Sequence, residues 1–178
     1  MRWFWIDRFL EFVSGQRAVA LKAVTLSDEP LDEYLPAHPV VPCSLIIEGL
    51  AQTGGLLVAE HNGFRERVVL AKVGKAVFHF PGRPGDLLRY TAIVEDIRAD
   101  GALCRCTSHV GDRLQAEVEL VFAHLDDRIP GSELFEPAGL LRTLRLLGLY
   151  DVGRTPQGER LTLPSQLLAG EAADLQRE

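Results

Sequence analysis

From Arg67 onward apolar and polar residues alternate with a period of two, the spacing of a half-buried β-strand. Four segments follow it: Arg67–Phe80, Asp86–Arg98, Ala102–Val110 and Arg113–His124. The breaks between them, Pro81-Gly82-Arg83-Pro84-Gly85, Ala99-Asp100-Gly101 and Gly111-Asp112, are turn chemistry. The last segment is the most regular, with Leu114, Ala116, Val118, Leu120 and Phe122 on one face and Gln115, Glu117 and Glu119 on the other. Upstream, the apolar stretch Trp3–Val13, the turn Ser14-Gly15-Gln16 and the β-compatible run Arg17–Leu26 predict an antiparallel strand pair.

Between these regions the pattern breaks and then changes period. Residues 27–43 contain Pro30, Pro36, Pro39 and Pro42, a density that no helix or strand interior tolerates, and they predict a rigid loop. Ser44–His61 reads as a helix that is apolar on nearly every side, through Leu45, Ile46, Ile47, Leu50, Leu56, Leu57 and Val58. Such a helix is wrapped by the rest of the protein. Gly49, Ala51, Gly54 and Gly55 let something approach its backbone closely, and His61-Asn62-Gly63 supplies a stop with a left-handed cap available. A long buried helix followed by an antiparallel meander predicts an α+β fold, a curved sheet around the helix, over residues 1–125. Residues 126–178 form a C-terminal extension. It is helical by the spacing of Leu140, Leu141, Leu144 and Leu147 within Pro137–Leu149, with Ser165 capping a last short helix.

Composition narrows the class. The chain has 178 residues, 47% hydrophobic and 25% charged, which describes a globular protein rather than a disordered one. No apolar run approaches the ~20 residues of a bilayer span. The apolar start is interrupted by Asp7 and Arg8 before a signal-peptide core can form, so a cytoplasmic location is expected. A net charge of −6 argues against a general nucleic-acid binder. Cys43, Cys104 and Cys106 form neither a C-x-x-C pair nor a Cys/His set of zinc type. Free thiols, no metal and no cofactor are the expectation.

Three segments carry a resemblance. Ile6-Asp7-Arg8-Phe9-Leu10 to Leu21-Lys22-Ala23-Val24-Thr25, then Pro39-Val40-Val41-Pro42-Cys43-Ser44-Leu45-Ile46-Ile47-Glu48-Gly49-Leu50-Ala51-Gln52, then Val73-Gly74-Lys75-Ala76-Val77-Phe78 with Pro81 and Pro84-Gly85-Asp86 follow one another in a known order and spacing. They resemble the hotdog-fold 3-hydroxyacyl-acyl-carrier-protein dehydratases of type II fatty acid synthesis, the FabZ-type family, over roughly residues 5–125. The resemblance implies a hotdog fold and a site pairing a loop His of one subunit with a helix Glu of the other. The Glu maps onto Glu48. The His position, counted back without a gap from Pro39, is Tyr34, and the next imidazole is His38, four residues on. Cys43 stands where the family has Gly.

Dehydration of a 3-hydroxyacyl thioester needs a base at the α-hydrogen, an acid at the 3-hydroxyl and donors on the thioester carbonyl. Imidazole suits the first task because it titrates near neutrality, and a carboxyl group in apolar surroundings keeps a proton for the second. Glu48, between Ile47 and Gly49 on the apolar helix, has such surroundings. Ser44, Glu48 and Gln52 recur at i, i+4 and i+8 as a narrow polar stripe. The free N–H groups near Cys43 and Ser44 are suited to polarising a carbonyl. The site set is therefore Glu48, Tyr34 and His38 for catalysis, with Cys43, Ser44, Gln52 and Phe78 for substrate. His61 reads as a helix-end residue, and His79 and His109 as exposed or half-buried strand residues. Arg65, Arg67, Lys72, Lys75 and Arg83 read as a solvated basic face, which is also suited to an acidic carrier protein.

These residues are compatible with three functions. The first is a dehydratase acting on acyl chains carried by acyl carrier protein or coenzyme A, as a homodimer or higher oligomer. The second is a non-catalytic acyl-binding subunit, or one lending Glu48 to a heterodimer whose other chain supplies the His. The third is a hotdog thioesterase in which Glu48 directs water at the thioester.

Overall fold

Each run of period two becomes a strand. The computed structural model describes residues 4–28, 31, 37–125 and 136–175. The strands are β1 Arg8–Val13, β2 Arg17–Ala23, β3 Arg67–Phe78, β4 Leu87–Arg98, β5 Gly101–Val110, β6 Arg113–Leu125 and β7 Gly153–Arg154. They form one sheet in the order β3-β6-β5-β4-β2-β1-β7. All neighbours are antiparallel except β1 and β7. The helices are α1 Cys43–His61, α2 Pro137–Leu146, α3 Leu149–Val152 and α4 Ser165–Leu175.

Helix α1 lies against the inner face of the sheet, touching β2 through β6. Leu45, Ile46, Leu50, Leu57 and Val58 are buried against Phe12, Leu88, Tyr90, Val118, Leu120 and Phe122, which is the wrapping that its all-round apolarity implied. The helix stops as expected. Gly63 is left-handed at φ +67, and the Gly63 and Phe64 N–H groups donate to the carbonyls of Glu60 and Ala59, the paired bonds of a Schellman end. The glycine notches are filled from inside the protein. The Tyr90 ring lies where a Cβ on Gly49 would stand, 2.3 Å from its Cε2, and Phe122 lies against Gly54 and Gly55.

The meander departs from strict alternation at one point. A bulge between Ser108 and His109 of β5 leaves Gln115 of β6 without an opposite number and turns it inward. Gln115 is therefore fully buried and accepts from the Ser108 hydroxyl at 2.6 Å, where the sequence pattern placed it with Glu117 and Glu119 on the outer face. The extension also differs in detail. Its first helix ends at Leu146, Gly148 turns left-handed at φ +66, and α3 leads into β7, an element the spacing did not predict. Leu141, Leu144, Leu147 and Leu149 join the same core as α1. Helix α4 lies on α2, tied by ion pairs of Arg142 with Asp174 and of Arg145 with Glu171.

Candidate active site

The helix opens at Cys43 behind Pro42, whose carbonyl accepts from the Leu45 and Ile46 N–H groups at 2.9 and 3.3 Å. The N–H groups of Cys43 and Ser44 precede these acceptor bonds and face outward at the positive end of the helix. Both side chains there are exposed. One turn on, Glu48 is half-buried rather than enclosed by apolar groups. Its Oε1 accepts from Gln52 Nε2 at 2.8 Å, and Gln52 Oε1 accepts in turn from the Trp5 backbone N–H at 2.8 Å. Because a backbone N–H only donates, it fixes which end of the Gln52 amide faces Trp5 and so points the NH₂ at Glu48. Among the described residues no hydrogen bond is made to Glu48 Oε2.

The predicted polar stripe is thus real for Glu48 and Gln52, joined by a bond, with Ser44 a turn away on the same face. The other predicted residues are not brought to Glu48 within one chain. His38 is exposed on the segment leading into α1, and no hydrogen bond or ion pair joins it to Glu48. Phe78 is half-buried at the end of β3 and packs on the core. Tyr34 lies outside the described residues. Of the thiols, Cys104 and Cys106 are buried and Cys43 is exposed, and burial pushes the Cys104 thiol up to about 12.

Sequence reasoning missed the layer behind Glu48. Lys22 is buried, lies 5.0 Å from the centre of the Trp5 ring, and pairs with Asp28 at 3.2 Å and Asp7 at 3.5 Å. It holds the strand pair, the Trp5 segment and the entry to the proline-rich loop together. Tyr90 lies behind Gly49 beside the Trp5 indole. Burial pushes its hydroxyl well above its ordinary pKa, so it stays a neutral phenol. A lysine inside an alternating strand was the available signal; nothing marked the Trp5 N–H. A shallow groove of about 440 Å³ on the outer face of the sheet, lined by Leu10, Arg17, Val19, Arg89 and His109 among others, shares no residue with this set.

The sequence matches the model of the FabA-like domain over residues 3–119. The chain belongs to the FabA-like family. It is 35% identical over 119 residues to the 3-hydroxyacyl-[acyl-carrier-protein] dehydratase FabZ of Desulforamulus reducens, an alignment covering 66% of this chain and 84% of that one. It is 36% identical over 126 residues to the FabZ of Symbiobacterium thermophilum, covering 70% and 89%. Among solved structures, smu.793 from Streptococcus mutans bound to acetyl CoA superposes with a TM-score of 0.57 at 17% identity, covering 70% of this chain and 93% of that one. A hypothetical thioesterase with coenzyme A from Streptococcus pneumoniae superposes with a TM-score of 0.55 at 11% identity, covering 66% and 84%. These likenesses fix the hotdog fold of this FabA-like protein. No helix among the described residues is long and apolar enough to cross a membrane.

Proposed function

We propose that this FabA-like protein acts on 3-hydroxyacyl thioesters at Glu48. The Glu48 carboxyl group protonates the departing 3-hydroxyl while the α-proton is removed, so that water leaves and the α,β double bond forms. The observation that carries the reading is the relay from Trp5 through Gln52 to Glu48. It commits one carboxyl oxygen of the half-buried Glu48 to the protein and leaves the other for the substrate. The N–H groups at the helix start polarise the thioester carbonyl. Tyr34 is a poor base, its phenol titrating near ~10 when unperturbed, and His38 takes the α-proton in its place. The acyl chain arrives on acyl carrier protein or coenzyme A in the cytoplasm, and two copies complete the site by pairing at β3. The support for that pairing is an edge strand with Leu70 and Val73 39% and 37% exposed.

Hydrolysis is the second reading, and Tyr34 is the observation that favours it, because a single carboxylate suffices to direct water at a thioester. Product analysis separates the two. Incubation with a 3-hydroxyacyl carrier and, separately, with a saturated acyl thioester gives an enoyl product for a dehydratase and a free acid for a thioesterase. Neither product, with binding retained, refutes catalysis and leaves an acyl-binding or partner subunit. Enoyl product that forms only when a His-bearing homologue is added identifies a heterodimer.

A further inference from the structure

The family match ends at residue 119, yet the extension beyond it meets the domain at a polar cluster that the site above does not use. Glu60 stands in the last turn of α1, about 18 Å along the helix from Glu48. Its Oε2 is shielded from solvent and has no hydrogen-bond partner among the described residues, and the hydroxyl of Tyr150, on α3, is in the same condition. Ser14, in the turn between β1 and β2, brings its hydroxyl toward the Glu60 carboxyl. Its backbone N–H donates to the Arg154 carbonyl of β7 at 2.9 Å. Beside it, Gly15 makes room for the His61 ring, whose Nδ1 is 2.5 Å from where a Cβ would stand. The end of α1, the first turn of the sheet and the α3–β7 segment therefore close on one carboxyl group.

An ionised carboxylate in such a place is costly unless it is paired. From its own helix Glu60 feels His61, whose charge favours ionisation. From the turn it meets only the neutral Ser14 hydroxyl, and from α3 the neutral Tyr150 phenol. The Arg154 guanidinium of β7 is engaged with the Gly153 carbonyl at 2.8 Å. Burial outweighs the favourable contributions and holds Glu60 above the ordinary carboxylate range. The Glu60 charge in turn adds to burial in raising the Tyr150 phenol.

We propose that Glu60, Ser14 and Tyr150 form a proton-linked latch between the C-terminal extension and the family domain, fastened while the Glu60 carboxyl keeps its proton and weakened when it ionises. The sign follows from linkage. The unfolded or undocked chain ionises first as pH rises, so the stabilisation is complete below the ordinary carboxylate range and is lost as pH climbs through the raised value of the docked form.

The test is hydrogen exchange on the full chain, read as the protection of α2 and α3 amides relative to those of β4 and β5, at pH about 5, 7 and 9. Wild type is expected to lose relative protection progressively over that range. Glu60→Gln is expected to hold its protection flat. Tyr150→Phe, which removes the hydroxyl able to solvate an ionised Glu60, is expected to match wild type at the low end and lose more at the high end. A wild-type profile flat in pH, or a Glu60→Gln profile as steep as wild type, overturns the latch. If Glu60→Gln does not fold, a Tyr150→Phe profile identical to wild type overturns it instead.

Discussion

Gly49→Ala is a substitution whose sign the structure sets against helix propensity. In an exposed helix interior, replacing Gly by Ala gains about 1 kcal/mol. Here the added Cβ would stand 2.3 Å from Tyr90 Cε2, 2.6 Å from Cζ and 2.9 Å from the hydroxyl oxygen. Non-bonded carbons settle at about 3.5–4.0 Å, so the ring or the helix must move by more than about 1 Å. Tyr90 is fully buried on a strand paired on both sides, by β2 and β5, and overpacking of this kind costs about 1–3 kcal/mol or somewhat more. At the upper end of that cost, which a displacement this large calls for, the expected net is a loss of about 2 kcal/mol, or about 4–8 °C in Tm for a chain of this size. Gly55→Ala is the control on the same helix. Its Cβ would meet Phe122 at 3.3 Å, a contact that a shift of a few tenths of an ångström relieves, so helix propensity wins and the protein is expected to gain up to about 1 kcal/mol. Urea unfolding followed by circular dichroism measures both. If Gly49→Ala equals or exceeds wild type, the close packing of Tyr90 on α1 is not what excludes a side chain there.

Further expectations concern the site and its supports. Tyr34→His should raise enoyl formation, by up to the ~10² to 10⁴-fold that a better positioned base supplies, and adding Glu48→Gln should abolish the gain; an inert, folded Tyr34→His that still binds acyl carrier argues against Tyr34 standing at the base position. Lys22→Met removes the cation between Asp7 and Asp28 and should cost about 3 kcal/mol in urea unfolding, with part recovered by adding Asp28→Asn. Iodoacetamide at neutral pH should label one thiol of the native protein, Cys43, and all three only after unfolding, since Cys104 and Cys106 are buried and their thiols are pushed up by burial. Long-chain acyl ligands should slow the Cys43 reaction, as measured by intact mass, and labelling indifferent to them places the acyl path elsewhere.

The central helix and the four long strands were legible because their periods differ and their breaks carry Gly and Pro. Glu48 and Gln52 were legible because the stripe they form is the polar exception on an apolar helix. What stayed hidden depends on partners remote in sequence. A bulge inserts one residue without changing composition, so alternation alone assigned Gln115 to the wrong face. Whatever filled the Gly49 and Gly54 notches had to come from strands some forty and seventy residues on, and an acyl chain was as compatible with the spacing as Tyr90 or Phe122. A two-residue strand such as β7 has too few positions to show a period. The Trp5 N–H that orients Gln52 belongs to the backbone, where no side-chain pattern reports on it.

The short strand β7 also bears on how copies of the chain add to one another. It pairs with Phe12 and Val13 of β1, while the Phe9 N–H donates to the Leu147 carbonyl and the Ser14 N–H to that of Arg154. The extension thereby occupies donors that a neighbouring molecule would need on that side of the sheet. A sheet open at both ends behaves like a bifunctional monomer and can grow without limit into a fibre. With one end stoppered by its own tail, this sheet is monofunctional. On the proposed pairing at β3, joining consumes the remaining valence and growth terminates at two by stoichiometry.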